Sequence, residues 1–504
     1  MSNMILSRRT LLGASMCVAG LTMVPAVVTA AVKAPKKWNQ TVDFLIIGSG
    51  FTGLAAALES YYLGMKNVMV VEKMPTIGGN SIINGGAVAA AGTDMQAKEG
   101  IKDSPDLMYQ DILKAGGHIN HPELARTIAD QSVENYEWLR DKIGVKFVSV
   151  YYHGGHSVKR SHGVKEHSGA GFINPMYQKC KEFGIPVKTR TIVDDFVVED
   201  GKVTGVKVRF NYRHGKENSG KVGYIKANKG VLIASGGFSQ NVKMRMTHDP
   251  RLTDKFGSTN HPGATGEMIQ QAQMLGANTL HMDWIQMGPW TSPDENGFGL
   301  GPLFVEPLVG FGVMIDPATG KRFIKETGNR KVRADAIVAM GHPALIYGCE
   351  QNVKTQVSKN MSPEQFERAM KNGVIRKFNT LKEMADFYKI PYDQLKATND
   401  KMNGYIKAKK DPDFDCQFFA DSVPNDKGPF YACRLWPRVH HTMGGLEINQ
   451  KAQVLDAHGN VIPGLLAAGE ATGGVHGMVR LGTVAVADCM IFGRIAARTA
   501  YATK

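Results

Sequence analysis

Four apolar runs of strand length, each closing on glycine or an acid, punctuate the chain. DFLIIG (43–48) leads into the helix-forming LAAALESYYLG (54–64), and then comes NVMVVEK (67–73), rich in valine and ending on Glu72 and Lys73. GVLIASGGFSQN (230–241) repeats the strand-into-glycine pattern. PGLLAAGEATGGVHG (463–477) does so once more, ahead of a long apolar helical stretch. Short apolar runs bounded by turn residues predict strands. Between 362 and 410 the period changes: SPEQFERAMKNG, TLKEMADFYKI and PYDQLKATNDKMNGYIKAKK predict short amphipathic helices divided by Gly and Pro.

The first of these runs carries chemistry. Gly48, Gly50 and Gly53 form GxGxxG at a strand-to-helix turn, and Glu72 ends the next strand, which is where a βαβ unit that binds a dinucleotide needs them. Pyrophosphate would sit on the helix N-terminus and Glu72 would bind a ribose hydroxyl. Further glycine-rich contacts favour FAD over NAD: Gly79, Asn80, Ser81, Gly85 and Gly86 in IGGNSIINGGAVAAAGT, Gly236 and Gly237, and Glu470. Such spread-out contacts suit a long, buried, non-covalent FAD.

Composition narrows the picture. The chain has 504 residues, enough for two or three domains, and a formal charge of +14. Lys and Arg are dispersed with no basic–aromatic stripe, so nucleic acid is not an expected partner. A positive field would draw in anionic substrates or an acidic redox partner. Residues 1–30, with Arg8 and Arg9 ahead of a weakly hydrophobic run ending at Ala30, read as a Tat export signal; a membrane anchor is the alternative reading. The expectation is a periplasmic mature chain with no stable membrane insertion. No CxxC or CxxCH occurs, so neither a zinc or iron–sulfur cluster nor covalent haem is expected, and no metal site is assigned.

VHHTMGGLEI (439–448), GLLAAGEATGGVHGMVRLG and GKRFIKE together resemble the flavoprotein part of soluble fumarate reductases of the flavocytochrome c type, in the wider succinate dehydrogenase/fumarate reductase flavoprotein family. The resemblance spans nearly all of 41–504 and lacks the haem domain. It implies an α/β fold: a doubly wound FAD-binding domain (41–288 and 438–504) interrupted by a smaller α+β capping domain (289–437). It also implies hydride delivery from flavin N5 to an activated alkene, with an arginine protonating the neighbouring carbon. Residue by residue, it puts the proton donor on Arg322, the carboxylate-binding arginine on Arg480, the substrate histidine on His441 and a relay glutamate on Glu306. His440 is then a packing neighbour. Adjacent histidines without further ligands at suitable spacing do not make a metal site.

The sequence departs from the dicarboxylate enzymes where a second carboxylate is held. Gly288 stands at the histidine position, Val305 at the threonine and Val309 at a relay arginine, with Trp290 close by. Fumarate is therefore expected to be a poor substrate and a substituted acrylate (cinnamate, urocanate or methacrylate) a better one. Asp294 and Glu295 could meet a polar substituent or belong to a solvated loop. Electrons would come from a separate cytochrome c or quinol-linked donor, as in an anaerobic respiratory ene-reductase. A fumarate reductase, an oxidative flavin dehydrogenase or oxidase, and an idle flavin carrier are the alternatives.

Overall fold

The computed structural model describes residues 32–153 and 155–503, so the expected export signal lies outside the described residues. The chain opens on β1 (Gln40–Ile47), turns through the glycines into α1 (Phe51–Tyr62) and returns as β2 (Val68–Val71). The same sheet then takes β3 (Val187–Lys188), the hairpin β4 (Thr191–Glu199) and β5 (Lys202–Phe210), and the long β6 (Lys221–Ile233). β1 lies parallel between β2 and β6, and its Phe44–Ile47 stretch is almost wholly buried. An unbroken apolar run suits a strand buried on both faces.

The second layer begins after β7 (Ile285–Gly288). It contains α2 (Gly301–Leu308), β8 (Val313–Ile315), α3 (Arg330–Met340), β9 (Ala344–Cys349), β10 (Arg376–Phe378) and β11 (Phe430–Leu435). Strands 8, 9, 11 and 10 form, in that order, an antiparallel four-stranded sheet. Two apolar cores are built entirely from residues 290–435, one on Trp290, Phe304 and Ile346, the other on Tyr347, Met384 and Phe430. The amphipathic segments of 362–410 fold as three helices, at Pro363–Lys371, Leu381–Tyr388 and Tyr392–Ala408.

The chain then re-joins the first layer. β12 (Arg438–Thr442) runs antiparallel to β7, so departure and return lie side by side. β13 (Gln453–Leu455) and β14 (Val461–Ala467) complete the main sheet, whose order is β13-β14-β6-β1-β2-β3 with the β4–β5 hairpin paired onto β6. The final helix, α4 (Val484–Ala502), lies against α1 so closely that a Cβ at Gly493 would stand 2.5 Å from the Thr52 carbonyl oxygen. Among the described residues no helix is long and apolar enough to cross a membrane, and all five cysteines are free.

Candidate active site

A cleft runs along the carboxyl ends of β1, β2 and β6, where doubly wound sheets bind dinucleotides. Its floor is the β1–α1 turn. Gly48 has φ +110, and a Cβ there would stand 2.3 Å from the Ala234 oxygen; at Gly53 it would stand 1.9 Å from the Gly48 oxygen. Only glycine lets helix, turn and strand approach this closely. The N-cap residue Gly50 offers no side chain and no acid occupies the first turn of α1, so beyond the Phe51 N–H its first-turn N–H groups are left for an anion. Glu72 accepts from the Ser49 N–H (3.0 Å), the Ser49 hydroxyl (2.7 Å) and the Met74 N–H (2.9 Å), holding its carboxylate at the cleft wall.

Gly50, Gly79, Asn80, Ser81, Gly236 and Glu470 also line this cleft. The Ser81 hydroxyl accepts from the Phe51 N–H at 2.9 Å. The buried Ser235 hydroxyl has no protein partner, as a group reserved for a ligand would not. Three expected contacts lie outside the cleft lining. Gly85 is exposed, Gly86 packs on Ser168, and Gly237 backs onto Thr442 and Glu470. The cleft fits an extended dinucleotide.

Beyond Glu470 the chain gathers cations. Arg480 sits on the loop before α4, 9 % exposed; its Nη1 donates to the Leu481 carbonyl at 3.2 Å and its Nε is buried with no partner. Among the described residues it makes no salt bridge. Burial, and then the charge of Arg330, lower its pKa to about 10. A guanidinium in such a place calls for an anionic ligand.

The paired histidines come from β12. Opposite Gln286 and Met287 stand His441 and Val439, so His440 is the extra residue of a β-bulge. A regular strand would turn one imidazole away. With the bulge, both sit where burial, and then the charge of Arg480, holds them far below the ordinary histidine pKa and keeps them neutral. His441 Nδ1 is 3.5 Å from Glu470, and His440 Nδ1 lies 2.8 Å from the Thr259 hydroxyl. Burial raises the Glu470 carboxyl to about 7.

The second layer supplies an arginine, but not the expected one. Arg322 is locked in a buried cluster, bonded to Glu326 at 2.8 and 2.6 Å and to Asp411 at 3.2 and 2.7 Å. Burial works against its charge, yet the two carboxylates more than offset this and raise its pKa. Glu326, Asp411 and Cys416 come close enough together to suggest a cation site, and the Arg322 guanidinium bonds to both of the acids. Arg322 is therefore unsuited to give up a proton. The arginine at the site is Arg330, eight residues on, in the first turn of α3, where the Asn329 side chain caps the helix by accepting from the Lys331 N–H. Its Nη2 is 2.8 Å from His153 Nε2, its Cζ lies 5.2 Å from the Trp290 ring centre, and its Nε stands 3.7 Å from Glu306 Oε1. His153 is kept neutral by burial and by Arg330 itself, so it accepts from the guanidinium.

The two positions expected to lack carboxylate-binding groups are filled by an indole and its apolar neighbours. A Cβ at Gly288 would fall 1.9 Å from Trp290 Cζ3, and Val305, fully buried, shares the same apolar core. Asp294 and Glu295 belong to the scaffold. Asp294 pairs with Arg434, and Glu295 caps α2 by accepting from the Leu300 and Gly301 N–H groups at 2.7 and 2.6 Å. Sequence reasoning placed Arg480, His441 and Glu306 here and missed Arg330 and His153. The signal for Arg330 was Asn329 as a helix cap, which starts α3 at an arginine.

A dinucleotide cleft running into a buried cationic pocket beneath a second layer defines a flavoprotein oxidoreductase. The chain belongs to the FAD-binding flavoprotein family that includes the fumarate reductases: the family described as "FAD binding domain" matches residues 43–486. It is 40 % identical over 504 residues to the acrylate reductase flavoprotein subunit of Shewanella woodyi, covering 98 % of each chain. It is 34 % identical to the urocanate reductase of Eggerthella lenta, covering 94 % of this chain and 77 % of that one. Among solved structures, the open conformation of a flavocytochrome c3 fumarate reductase superposes with a TM-score of 0.77 at 32 % identity, covering 92 % of this chain and 78 % of the other. The chain is thus an FAD-dependent reductase acting on C=C bonds of unsaturated acids.

Proposed function

We propose that this chain reduces short α,β-unsaturated monocarboxylates of the acrylate class, with Arg330 as proton donor. The observation that carries the reading is the pairing of a carboxylate-free Arg480 with an indole at Gly288: one anchor for one carboxylate, and apolar surface where a second would lie. The Shewanella woodyi relative, named an acrylate reductase, supports it. Bulky cinnamates and urocanate suit the site less well than acrylate and methacrylate, because Trp290 takes up the room.

Bound FAD supplies the hydride. The protein does the rest. The Arg480 fork and His441 grip the carboxylate and stabilise the charge that builds up on it as the double bond is reduced. His153 and the Trp290 face hold Arg330 in one orientation. A guanidinium is a weak acid in water, so it serves only if its proton is promptly replaced, and Glu306 is the carboxyl group beside it. A second carboxylate buried against Trp290 without a partner would cost several kcal/mol. Export through the Tat pathway, a periplasmic address and a separate cytochrome or quinol-linked donor belong to the same proposal, supported by the twin-arginine start of the chain.

The test is anaerobic kcat/KM with viologen-reduced holoenzyme for acrylate, methacrylate, cinnamate, urocanate and fumarate. Acrylate should exceed fumarate by about 10²–10⁴. Equal efficiency with fumarate would overturn the proposal.

A further inference from the structure

The side of α3 that faces the site carries a second arginine. Arg333 lies one turn beyond Arg330, 4 % exposed, and its Nε and Nη1 are buried with no hydrogen-bond partner among the described residues. Its Nη2 stands 3.7 Å from Glu306 Oε1, the same oxygen that stands 3.7 Å from Arg330 Nε. That oxygen is itself buried and accepts no hydrogen bond, while the Glu306 side chain as a whole is 29 % exposed, leaving Oε2 open. Val309, the extended residue that ends α2, follows Glu306 by three positions and offers no charge. One carboxylate oxygen is thus shared by two guanidiniums that issue from a single helix turn. An arginine this deeply buried with two idle N–H groups costs stability, so packing alone does not account for it.

We infer that Arg333 is a positioning residue for proton return: it fixes Glu306 against Arg330 from the far side. The inference rests on Arg330 being the proton donor. In each turnover Arg330 loses one proton to the substrate carbon and becomes a neutral guanidine. The Glu306 carboxylate takes a proton from solvent through the open Oε2, passes it to the Arg330 guanidine and returns to the carboxylate. Arg333 stays charged throughout. Its fixed positive charge favours the carboxylate left behind, and its geometry keeps Oε1 aimed at Arg330 when Arg330 is momentarily neutral and exerts no pull of its own.

The experiment compares Arg333→Met, Arg333→Lys and Arg333→Met with Val309→Arg, all as FAD-loaded enzyme with acrylate. Arg333→Met should lower kcat about 10- to 100-fold with little change in KM, and should raise the solvent deuterium isotope effect on kcat. Arg333→Lys should recover part of the rate. Val309→Arg, which offers Glu306 a guanidinium from the residue just past α2, should restore about tenfold in the Arg333→Met background. Should Arg333→Met yield no holoprotein, Arg333→Gln replaces it, with the same expected loss. Parent-like kcat and isotope effect in the uncharged variant would overturn the inference, as would a loss confined to FAD content or KM. Arg330→Met separates the two levels: if it turns over normally, the donor assignment itself fails; if it is crippled while Arg333→Met is not, only the present inference falls.

Discussion

Two arginines eight residues apart, with side chains 5 % and 14 % exposed, have opposite fates because of what surrounds them. Arg322 has two carboxylates within 2.7 Å; Arg330 has a neutral imidazole, an indole face and a carboxylate at 3.7 Å. Arg330→Met should therefore keep FAD and lose about 10²–10⁴ in kcat. Arg322→Met should strand two buried acids and cost about 3–5 kcal/mol of stability, read as a lower unfolding midpoint rather than as a selective loss of turnover. Glu470 gives a pH test. Its carboxyl is raised to about 7, so it is neutral below that pH and ionised above it. Ionised, it sits beside His441 and competes with the substrate anion for the positive potential of Arg480. KM for acrylate should rise as pH climbs through about 7, and Glu470→Gln should flatten the profile. The resemblance put Arg480, His441 and Glu306 on the short motifs they stand in, and the fold brings Arg480 and Glu306 close to Arg330 and His441 close to Arg480. The sequence hid Arg330 because GKRF and NRKVR offer arginines of identical chemistry. Only the acid at 326, four residues past Arg322, signals that one of them is already engaged.

At the level of elements, local pattern carried most of the information where the chain is buried on both sides. β1, β2, β6 and β14 fall on the apolar runs, and the glycine turn falls between β1 and α1. Gly48→Ala should abolish FAD loading, since a Cβ at φ +110 would stand 2.3 Å from a backbone oxygen; a flavin absorbance per chain equal to the parent's would contradict this. The bulge at His440 was not legible, because a bulge is a property of the pairing between β12 and β7 and not of either strand alone. Trp290 was visible as a nearby aromatic, but not its position over Gly288. Trp290 therefore blocks redesign at this spot: Gly288→His with Val305→Thr cannot build a second carboxylate site while the indole is there. Adding Trp290→Ala to that pair should raise kcat/KM for fumarate and lower it for acrylate, whereas Trp290→Ala alone should admit larger acrylates.

Over the whole molecule, the site is assembled from two layers with separate cores. Arg480, His441 and His153 come from the first, Arg330, Glu306 and Trp290 from the second. Two of the apolar cores fall between residues 290 and 435, and within that stretch the sequence at 362–410 changes to the amphipathic period of helices. The contact of Arg330 with His153 was not legible, since it joins residues 177 positions apart. The adjacency of β7 and β12 has a consequence for engineering. Gly288 pairs with Arg438, so the chain leaves and re-enters the first layer through neighbouring strands. Residues 289–437 are in effect a large loop on a hairpin, and loops are removable where their ends already touch. A shortened gene joining 288 to 438 through a two-residue turn, with the apolar first-layer surface that Ala334 covers replaced by polar side chains, should give a protein that still takes up FAD. It should be unable to hydrogenate acrylate, and its flavin, stripped of cover, should react freely with oxygen.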